Sequence, residues 1–287
     1  MRWEGGEESD QVEDRRGFGG GRLAIGGCGT VIVVLVISLL TGANPLRVLQ
    51  LINGAAPSSH TSGAPSSGPP PAGQGQGEDR EKKFVSVVLK STEDTWSSIF
   101  AANGRRYELP TLVLFTDATP TACGEGSEAQ GPFYCPLDRK VYLDLGFFDE
   151  LSRRFGAPGD FARAYVVAHE VGHHVQQQLG VSDKVSALQQ RVSREEANQL
   201  SVRLELQADC YAGVWGNRGA QTGLVEPGDA EAGLRAAAAI GDDRLQRMAT
   251  GRIQPESFTH GSSEQRVEWL KRGLESGDPK SCDTFSR

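Results

Sequence analysis

The chain has 287 residues and a formal net charge of -7, with 38% hydrophobic and 23% charged residues. These values are typical of a folded protein of one or two domains with a core of ordinary size. They argue against a nucleic-acid partner, because proteins that bind nucleic acids carry an excess of clustered positive charge.

The N-terminal part of the chain is predicted to form a tail, a membrane helix and a tether. Residues 1–22 are polar and carry charges of both signs, which indicates a short flexible tail. Residues 23–46 contain no charged side chain and are long enough to cross a bilayer once, with Cys28 as a small residue within the helix. Residues 47–77 are rich in Pro, Gly, Ser and Ala, which favours a flexible or extended tether in which His60 has no function.

The charges that flank the apolar stretch predict its orientation. Arg15, Arg16 and Arg22 precede it, and only Arg47 follows it closely. The positive-inside rule therefore predicts a single-pass protein of the cell membrane, with a cytoplasmic N-terminus and an extracytoplasmic domain. A cleaved signal peptide is the alternative, but the long polar lead and the missing small-residue cleavage site disfavour it.

Residues 78–287 are predicted to form one folded domain. Helix-like spacing of apolar residues predicts a helix over residues 79–103, and short apolar runs predict strands over residues 111–116 and 140–145. The stretch between these strands, residues 123–136, is expected to be a loop.

From residue 147 onward the pattern is mainly helical. Asp160 is expected to cap one helix and Gly180 to end it, and Ser193 with Glu196 forms a capping box for the next. The predicted helices cover residues 161–179, about 194–215, 229–240, 242–250 and 262–276. Strands followed by helices predict an α+β domain that is mainly helical with a small sheet.

Four cysteines lie in the domain, namely Cys123, Cys135, Cys210 and Cys282. An even number in an extracytoplasmic domain is consistent with two disulfides, and four cysteines allow three pairings. In one of these pairings Cys123 and Cys135 close a short loop, while Cys210 and Cys282 tie the C-terminal tail to a helix. No pair has the CxxC spacing of a zinc knuckle.

The motif that indicates chemistry is His169-Glu170-Val171-Gly172-His173, an HExxH sequence. Residues four apart share one face of a helix, so His169 and His173 can bind one zinc ion together. Glu170 points about 100° away from His169, which suits a general base for the attacking water. His174 is rotated off the ligand face, so a packing or surface role is expected for it.

A second motif, Glu205-Leu206-Gln207-Ala208-Asp209, follows downstream. A hydrolytic zinc site usually takes three protein ligands, and two histidines with one glutamate are a common set. Glu205 is therefore the candidate third ligand. Asp209, on the same helix face, is a candidate acceptor for the free N–H of a ligand histidine.

His260 is a candidate donor to the oxyanion of a tetrahedral intermediate. The alternative for His260 is a structural role in the loop before the last helix. Three tyrosines are rival donors that the sequence does not rank, namely Tyr142, Tyr165 and Tyr211.

Taken together, HExxH and the downstream ExxxD motif are similar to the gluzincin branch of the zincins. More closely, the chain resembles the bacterial family of membrane-anchored proteins described as "putative neutral zinc metallopeptidase". The resemblance covers nearly the whole chain and is carried by MRWEGGEESDQVEDRRG, TACGEGSEAQGPFYCPLDRKVYLDL, HEVGHHVQ, ELQADCYAGVW and FTHGSSEQRVEWLKRGLESGDPKSCDTF. It implies a zincin-like catalytic domain with metal ligands at His169, His173 and Glu205.

These features predict a zinc-dependent endopeptidase that acts on proteins or peptides. We expect residues 140–145 to form an edge strand beside the cleft, where an extended peptide could add to the sheet. Two alternatives remain open: a non-catalytic scaffold stabilised by its metal, and a zinc hydrolase of a non-peptide amide. An intact Glu170 disfavours the scaffold, because a scaffold needs no base beside the metal.

Overall fold

A computed structural model describes residues 1–16, 74–127 and 131–286 of the chain. The strands are β1 (Val12–Asp14), β2 (Thr111–Phe115), β3 (Ala118–Thr121), β4 (Gly124–Ser127), β5 (Phe133–Cys135) and β6 (Lys140–Asp144). The helices are α1 (Gln74–Ala102), α2 (Gly146–Arg153), α3 (Asp160–Leu179), α4 (Val181–Gln189), α5 (Arg194–Thr222), α6 (Asp229–Ala239), α7 (Asp242–Thr250) and α8 (Ser263–Ser276). This is the predicted α+β class, with many helices around a small sheet.

The main sheet has four strands in the order β1-β2-β6-β5. The strand β2 pairs in parallel with both β1 and β6, and β5 pairs antiparallel with β6. A separate antiparallel hairpin is formed by β3 and β4. One face of the main sheet packs on the large core through side chains such as Leu112 and Leu143, and the other buries Phe115 and Tyr142 in a smaller cluster.

Two expectations about this sheet were wrong. Residues 123–136 are not a loop, since they contain β4 and β5. Because β5 covers one side of β6 and β2 covers the other, the strand at residues 140–145 is internal rather than an edge strand. The strand β5 has only three residues, too few to show the alternating pattern by which strands are recognised in a sequence.

The predicted helices are present, but α1 begins five residues earlier than predicted and α5 ends about seven residues later. The short helices α2 and α4 were not predicted as separate elements. Gly180 adopts a left-handed conformation and ends α3 as expected, and Ser193 and Glu196 form the expected capping box of α5. Asp160 does not cap α3, because it already lies in the first helical turn. Its carboxylate instead accepts a hydrogen bond from the indole Nε1 of Trp3, at 2.8 Å, and from the guanidinium of Arg163.

The first 16 residues are not the flexible tail that their composition predicts. Trp3 is 3% exposed, and Val12–Asp14 form a strand of the main sheet. Together with the residues from Gln76 onward they form one compact unit. In this segment a few well-placed contacts outweigh the polar composition.

The predicted membrane segment, residues 23–46, lies outside the described residues, as does most of the predicted tether, residues 47–77. The last four tether residues are helical, since α1 already begins at Gln74. Within the described ranges, no helix combines the length and the apolar character that a bilayer crossing requires.

The four domain cysteines form two disulfides. Cys123 is joined to Cys135, which links the turn between β3 and β4 to β5, and Cys210 is joined to Cys282. The second bond spans 72 residues and fixes the C-terminal region to the middle of α5. Cross-links that close long loops restrict the unfolded chain most in the loop-entropy account.

Candidate metal centre

Helices α3 and α5 bring together the three predicted ligand side chains. One ligand atom from each of His169, His173 and Glu205 lies within 4.8 Å of the other two. The Nε2 atom of His169 is 3.1 Å from Glu205 Oε2, and the Nε2 atom of His173 is 3.4 Å from Glu205 Oε1. Both imidazoles therefore direct the same type of nitrogen towards one carboxylate.

The close approach of the two helices depends on Gly172, which lies between the two histidines. A Cβ atom at this position would lie 3.0 Å from the carbonyl oxygen of Ala208 on α5. A side chain at residue 172 would therefore require Ala208 to move by a few tenths of an ångström. The glycine of the HExxH motif thus permits the close helix spacing at which the cluster forms.

Asp209 holds the ring of His169 in place. Its Oδ1 atom accepts from His169 Nδ1 at 2.8 Å and from the hydroxyl of Tyr165 at 2.6 Å. Arg266 on α8 donates to both carboxylate oxygens of Asp209, at 2.8 and 2.9 Å. With Nδ1 occupied as a donor, Nε2 is the atom that would offer its lone pair to a metal, once its proton is displaced.

A different set of partners holds His173. Its Nδ1 atom donates to the side-chain oxygen of Gln176 at 2.9 Å. The amide nitrogen of Gln176 donates to the carbonyl of Leu204 at 2.7 Å and to the side-chain oxygen of Gln207 at 3.2 Å. Gln207 in turn donates to the carbonyl of Cys282 at 3.0 Å.

Sequence reasoning missed Arg266, Gln176 and Gln207. Gln207 lies within the second motif, and Gln176 lies one helical turn after His173, so closeness to the motifs was the one available signal. Arg266 carries no such signal, since it belongs to a helix about 60 residues downstream of Glu205.

The carboxylates around the two rings favour positive charge. Burial alone would lower the pKa of His169, but the charge and hydrogen bonds of Asp209 and Glu205 outweigh burial and raise this pKa to about 10. Burial opposes a raised pKa for His173 as well, and the charge of Glu205 prevails. The pKa of Glu205 lies well below its ordinary value, because the facing imidazoles outweigh the effect of burial. The same charges would stabilise a bound cation.

The cluster lies in a cleft of about 680 Å³, within the size range of small-ligand sites. Its walls include Phe133 and Tyr134 of β5, as well as Glu170 and His260. Glu170 is 7% exposed, and burial raises the pKa of its carboxyl, while the positive charge of the neighbouring histidines opposes this. A carboxyl with a raised pKa beside a ligand cluster suits proton transfer near neutral pH.

His260 reaches the cleft from the loop before α8. Its imidazole is 54% exposed, and its Nδ1 atom lies 3.3 Å from Asp242 Oδ1. Asp242 also accepts the backbone N–H groups of Thr259 and His260, each at 2.7 Å, and so fixes the loop. The hydrogen bond with Asp242 raises the pKa of His260, which favours the protonated, donating form.

The rival tyrosines are already engaged elsewhere. The hydroxyl of Tyr165 donates to Asp209, that of Tyr142 donates to Asp138 at 2.7 Å, and Tyr211 packs edge-on against Trp96. Tyr165 lines the cleft, and so does Tyr134, a tyrosine that the sequence did not single out.

His174 has the packing role that its position on α3 predicts. Its Nε2 atom donates to the carbonyl of Glu108 at 2.7 Å, so its Nδ1 atom accepts from the hydroxyl of Tyr134 at 3.0 Å. Burial lowers the pKa of this histidine, which keeps it neutral. It therefore joins β5 to α3 and is not a member of the metal cluster.

The donor set fits zinc. Two imidazole nitrogens and one carboxylate, with hydrogen-bonded partners on both Nδ1 atoms, are the ligands of hydrolytic zinc sites, which keep a further position for water. The fold and the site together define an α+β protein in which two histidines of an HExxH helix and a glutamate of α5 form a group that could hold a metal ion.

The chain belongs to the family described as "Putative neutral zinc metallopeptidase", whose model matches residues 1–285. It is 48% identical over 295 residues to the uncharacterized protein YpfJ of Escherichia coli K12, covering 100% of this chain and 99% of that protein. It is also 43% identical over 215 residues to the uncharacterized protein Rv2575 of Mycobacterium tuberculosis, covering 71% of this chain and 72% of that protein. No solved structure matches the chain.

Proposed function

We propose that the protein is a zinc-dependent endopeptidase with Glu170 as its general base. The observation that carries this proposal is the convergence of His169, His173 and Glu205 in a cleft that Glu170 also lines. Zinc in such a site supplies an acidified water and a polarised carbonyl. The two histidines and Glu205 would hold the ion, and Asp209 and Gln176 would orient the rings.

In this proposal Glu170 takes the proton of the attacking water and passes it to the leaving amine. Its carboxyl is buried beside the ligands and has a raised pKa, so it can both accept and return a proton. His260, kept protonated by Asp242, would donate to the oxyanion of the tetrahedral intermediate.

A peptide substrate is favoured by the strand that borders the cleft. Phe133 and Tyr134 of β5 line the cleft, and β6 pairs with one side of β5. Among the described residues, no strand pairs with its other side. An extended peptide could add to this edge. Peptides N-methylated near the scissile bond should then be cleaved far more slowly than unmodified ones, and equal rates would exclude strand addition.

The deciding experiment compares Glu170→Gln and Glu205→Ala with the wild type in the full-length protein. We expect Glu170→Gln to retain stoichiometric zinc and to lose at least about 10²–10⁴-fold in peptide hydrolysis. Glu205→Ala should lose zinc as well. Glu195→Gln, an exposed change on α5, is the matched control.

Three results would separate this proposal from its alternatives. Equal zinc in wild type and Glu205→Ala would remove Glu205 from the ligand set. A cellular phenotype that survives Glu170→Gln would favour a non-catalytic scaffold. Chelator-sensitive hydrolysis of non-peptide amides, without cleavage in a peptide library, would favour a different substrate class.

His260→Ala should keep its zinc and lower kcat by about 10²–10³-fold.

The two disulfides support a location outside the cytoplasm for the domain, because such bonds persist in oxidising compartments. Alkylation of free thiols in intact cells tests this placement, since the four cysteines should stay unlabelled in the folded, oxidised protein.

A further inference from the structure

The first residues of the chain are anchored on the helical part of the domain. The ring of Trp3 packs edge-on against Phe84 of α1, with centroids 5.3 Å apart, and its Nε1 atom donates to Asp160 of α3. The backbone N–H of Arg2 donates to the carbonyl of Leu224 at 2.8 Å, just beyond α5. The first three residues are thus held by α1, by α3 and by Leu224, just beyond the end of α5.

The middle of the N-terminal segment, residues 1–16, is joined to α1 by buried hydrogen bonds. The hydroxyl of Ser9 donates to Glu93 at 2.6 Å, and the N–H of Ser9 donates to the carbonyl of Ser86 at 3.2 Å. The hydroxyl of Ser86 returns a bond to the carbonyl of Ser9 at 3.0 Å. Ser9, Ser86 and Glu93 are all buried, so the segment and α1 satisfy each other's polar groups.

The end of the segment is a strand of the main sheet. Val12 pairs with Leu112, and Asp14 pairs with Leu114, in a parallel ladder. The ammonium of Lys140, on β6, lies 2.7 Å from Glu13. Without β1, the backbone groups of β2 on this side would lose their strand partner.

Ion pairs also join the C-terminal end of the segment to α1. Asp14 pairs with Arg16, at 2.7 Å, and also with Lys82 of α1, at 3.2 Å. Arg16 is the last described residue before the gap, and Lys82 is the ninth residue of the helix that follows it.

From these contacts we infer that residues 1–16 are an integral part of the metal-binding domain of the same chain, which they join through strand β1. The N-terminal segment and the domain therefore lie on the same side of any membrane. A hydrogen-bonded ladder cannot extend across a hydrocarbon layer of about 30 Å. The arrangement predicted from flanking charge, with the N-terminus in the cytoplasm and the domain outside, is incompatible with this ladder. The inference does not depend on the proposed peptidase activity.

Side-specific labelling of the full-length protein in intact cells tests the inference. In a Cys28→Ser background, one variant carries Glu8→Cys on the segment and another carries Ser186→Cys on the domain; both positions are exposed. A membrane-impermeant maleimide should label both variants, or should label both only after the membrane is opened. Labelling of one in intact cells and of the other only after opening would overturn the inference.

A cross-link tests whether the segment docks on its own chain. Glu8 and Lys83 form an ion pair at 3.5 Å, and both side chains are about half exposed. In the double variant Glu8→Cys and Lys83→Cys, in the same Cys28→Ser background, a short bis-maleimide should join the two positions within one chain and leave the mass of a monomer. Each single variant is a control that can form no such link. A link found only between two chains, or no link at all, would overturn docking within the chain.

Discussion

The two candidate ligand histidines are held by opposite kinds of chemistry. His169 donates to a carboxylate that is itself paired with a buried guanidinium, so charged groups fix it. His173 donates to an amide that belongs to a chain of neutral groups ending at a backbone carbonyl. Both arrangements leave Nε2 directed at Glu205, so two different networks orient the rings in equivalent ways.

The difference lies in what happens when a partner is lost. Removing one member of a buried ion pair leaves an uncompensated charge, which costs about 3–5 kcal/mol. Removing a neutral hydrogen-bond partner leaves a polar group unsatisfied, at about 1–3 kcal/mol. The charged network should therefore be the more fragile of the two, and it should respond to pH.

The largest effect is expected from Asp209→Asn, which removes the charge at nearly constant volume. Arg266 then stays buried without a counter-charge, so the free energy of unfolding should fall by about 3–5 kcal/mol. Zinc affinity should fall about 10–100-fold, since the orientation of His169 is weakened. Urea unfolding of the chelated protein and zinc titration measure the two effects. Asp149→Asn, at an exposed position, is the control.

Acid should weaken the charged network selectively. Burial would raise the pKa of Asp209, but Arg266 and His169 outweigh burial and lower it from 3.8 to about 2. Because the folded pKa is depressed, Asp209 contributes its full stabilisation above its unfolded pKa and loses it as the pH falls from about 4 towards about 2. Unfolding curves of the chelated protein should show this slope in the wild type and a smaller slope in Asp209→Asn. Equal slopes would show that Asp209 is not the titrating group.

The smallest effect is expected from Gln176→Met, which removes the neutral partner of His173 while filling similar space. The free energy of unfolding should fall by about 1–3 kcal/mol, and zinc affinity should fall about 10-fold. The acid slope should match that of the wild type. Gln199→Met, on the exposed side of α5, is the control. A loss as large as that of Asp209→Asn would contradict the proposed difference between the two networks.

The sequence predicted the positions of the two histidine rings better than it predicted the residues that hydrogen-bond to them. A spacing of four places His169 with His173, and Glu205 with Asp209, on one face of a helix whatever surrounds it. The partners depend on which helices meet. Arg266 acts through its contact with α5, and in the sequence it is indistinguishable from a solvated residue of an amphipathic helix. The same holds for Gln176, whose acceptors lie on α5.

Prediction from the sequence was limited in the same way for the sheet and for the N-terminal segment. The runs at β2 and β6 are long and apolar enough to predict strands, while β5 and β1 have three residues each and depend on neighbours. The charge and polarity of residues 1–16 predict a free tail. An average composition does not reveal that one residue of the segment, Trp3, has a buried indole ring. Long-range pairing, rather than local preference, determines both elements.

The crossing of α5 and α8 has a consequence for how inactive variants are interpreted. Gly213 on α5 and Gly273 on α8 lie against each other's backbones, where an added Cβ would overlap the chain opposite. Helix α5 carries Glu205 and Asp209, and α8 carries Arg266. A single methyl group at either glycine would move the guanidinium away from its carboxylate without touching any ligand. Loss-of-function variants at these glycines should therefore behave as metal-binding variants, and excess zinc should restore part of their activity.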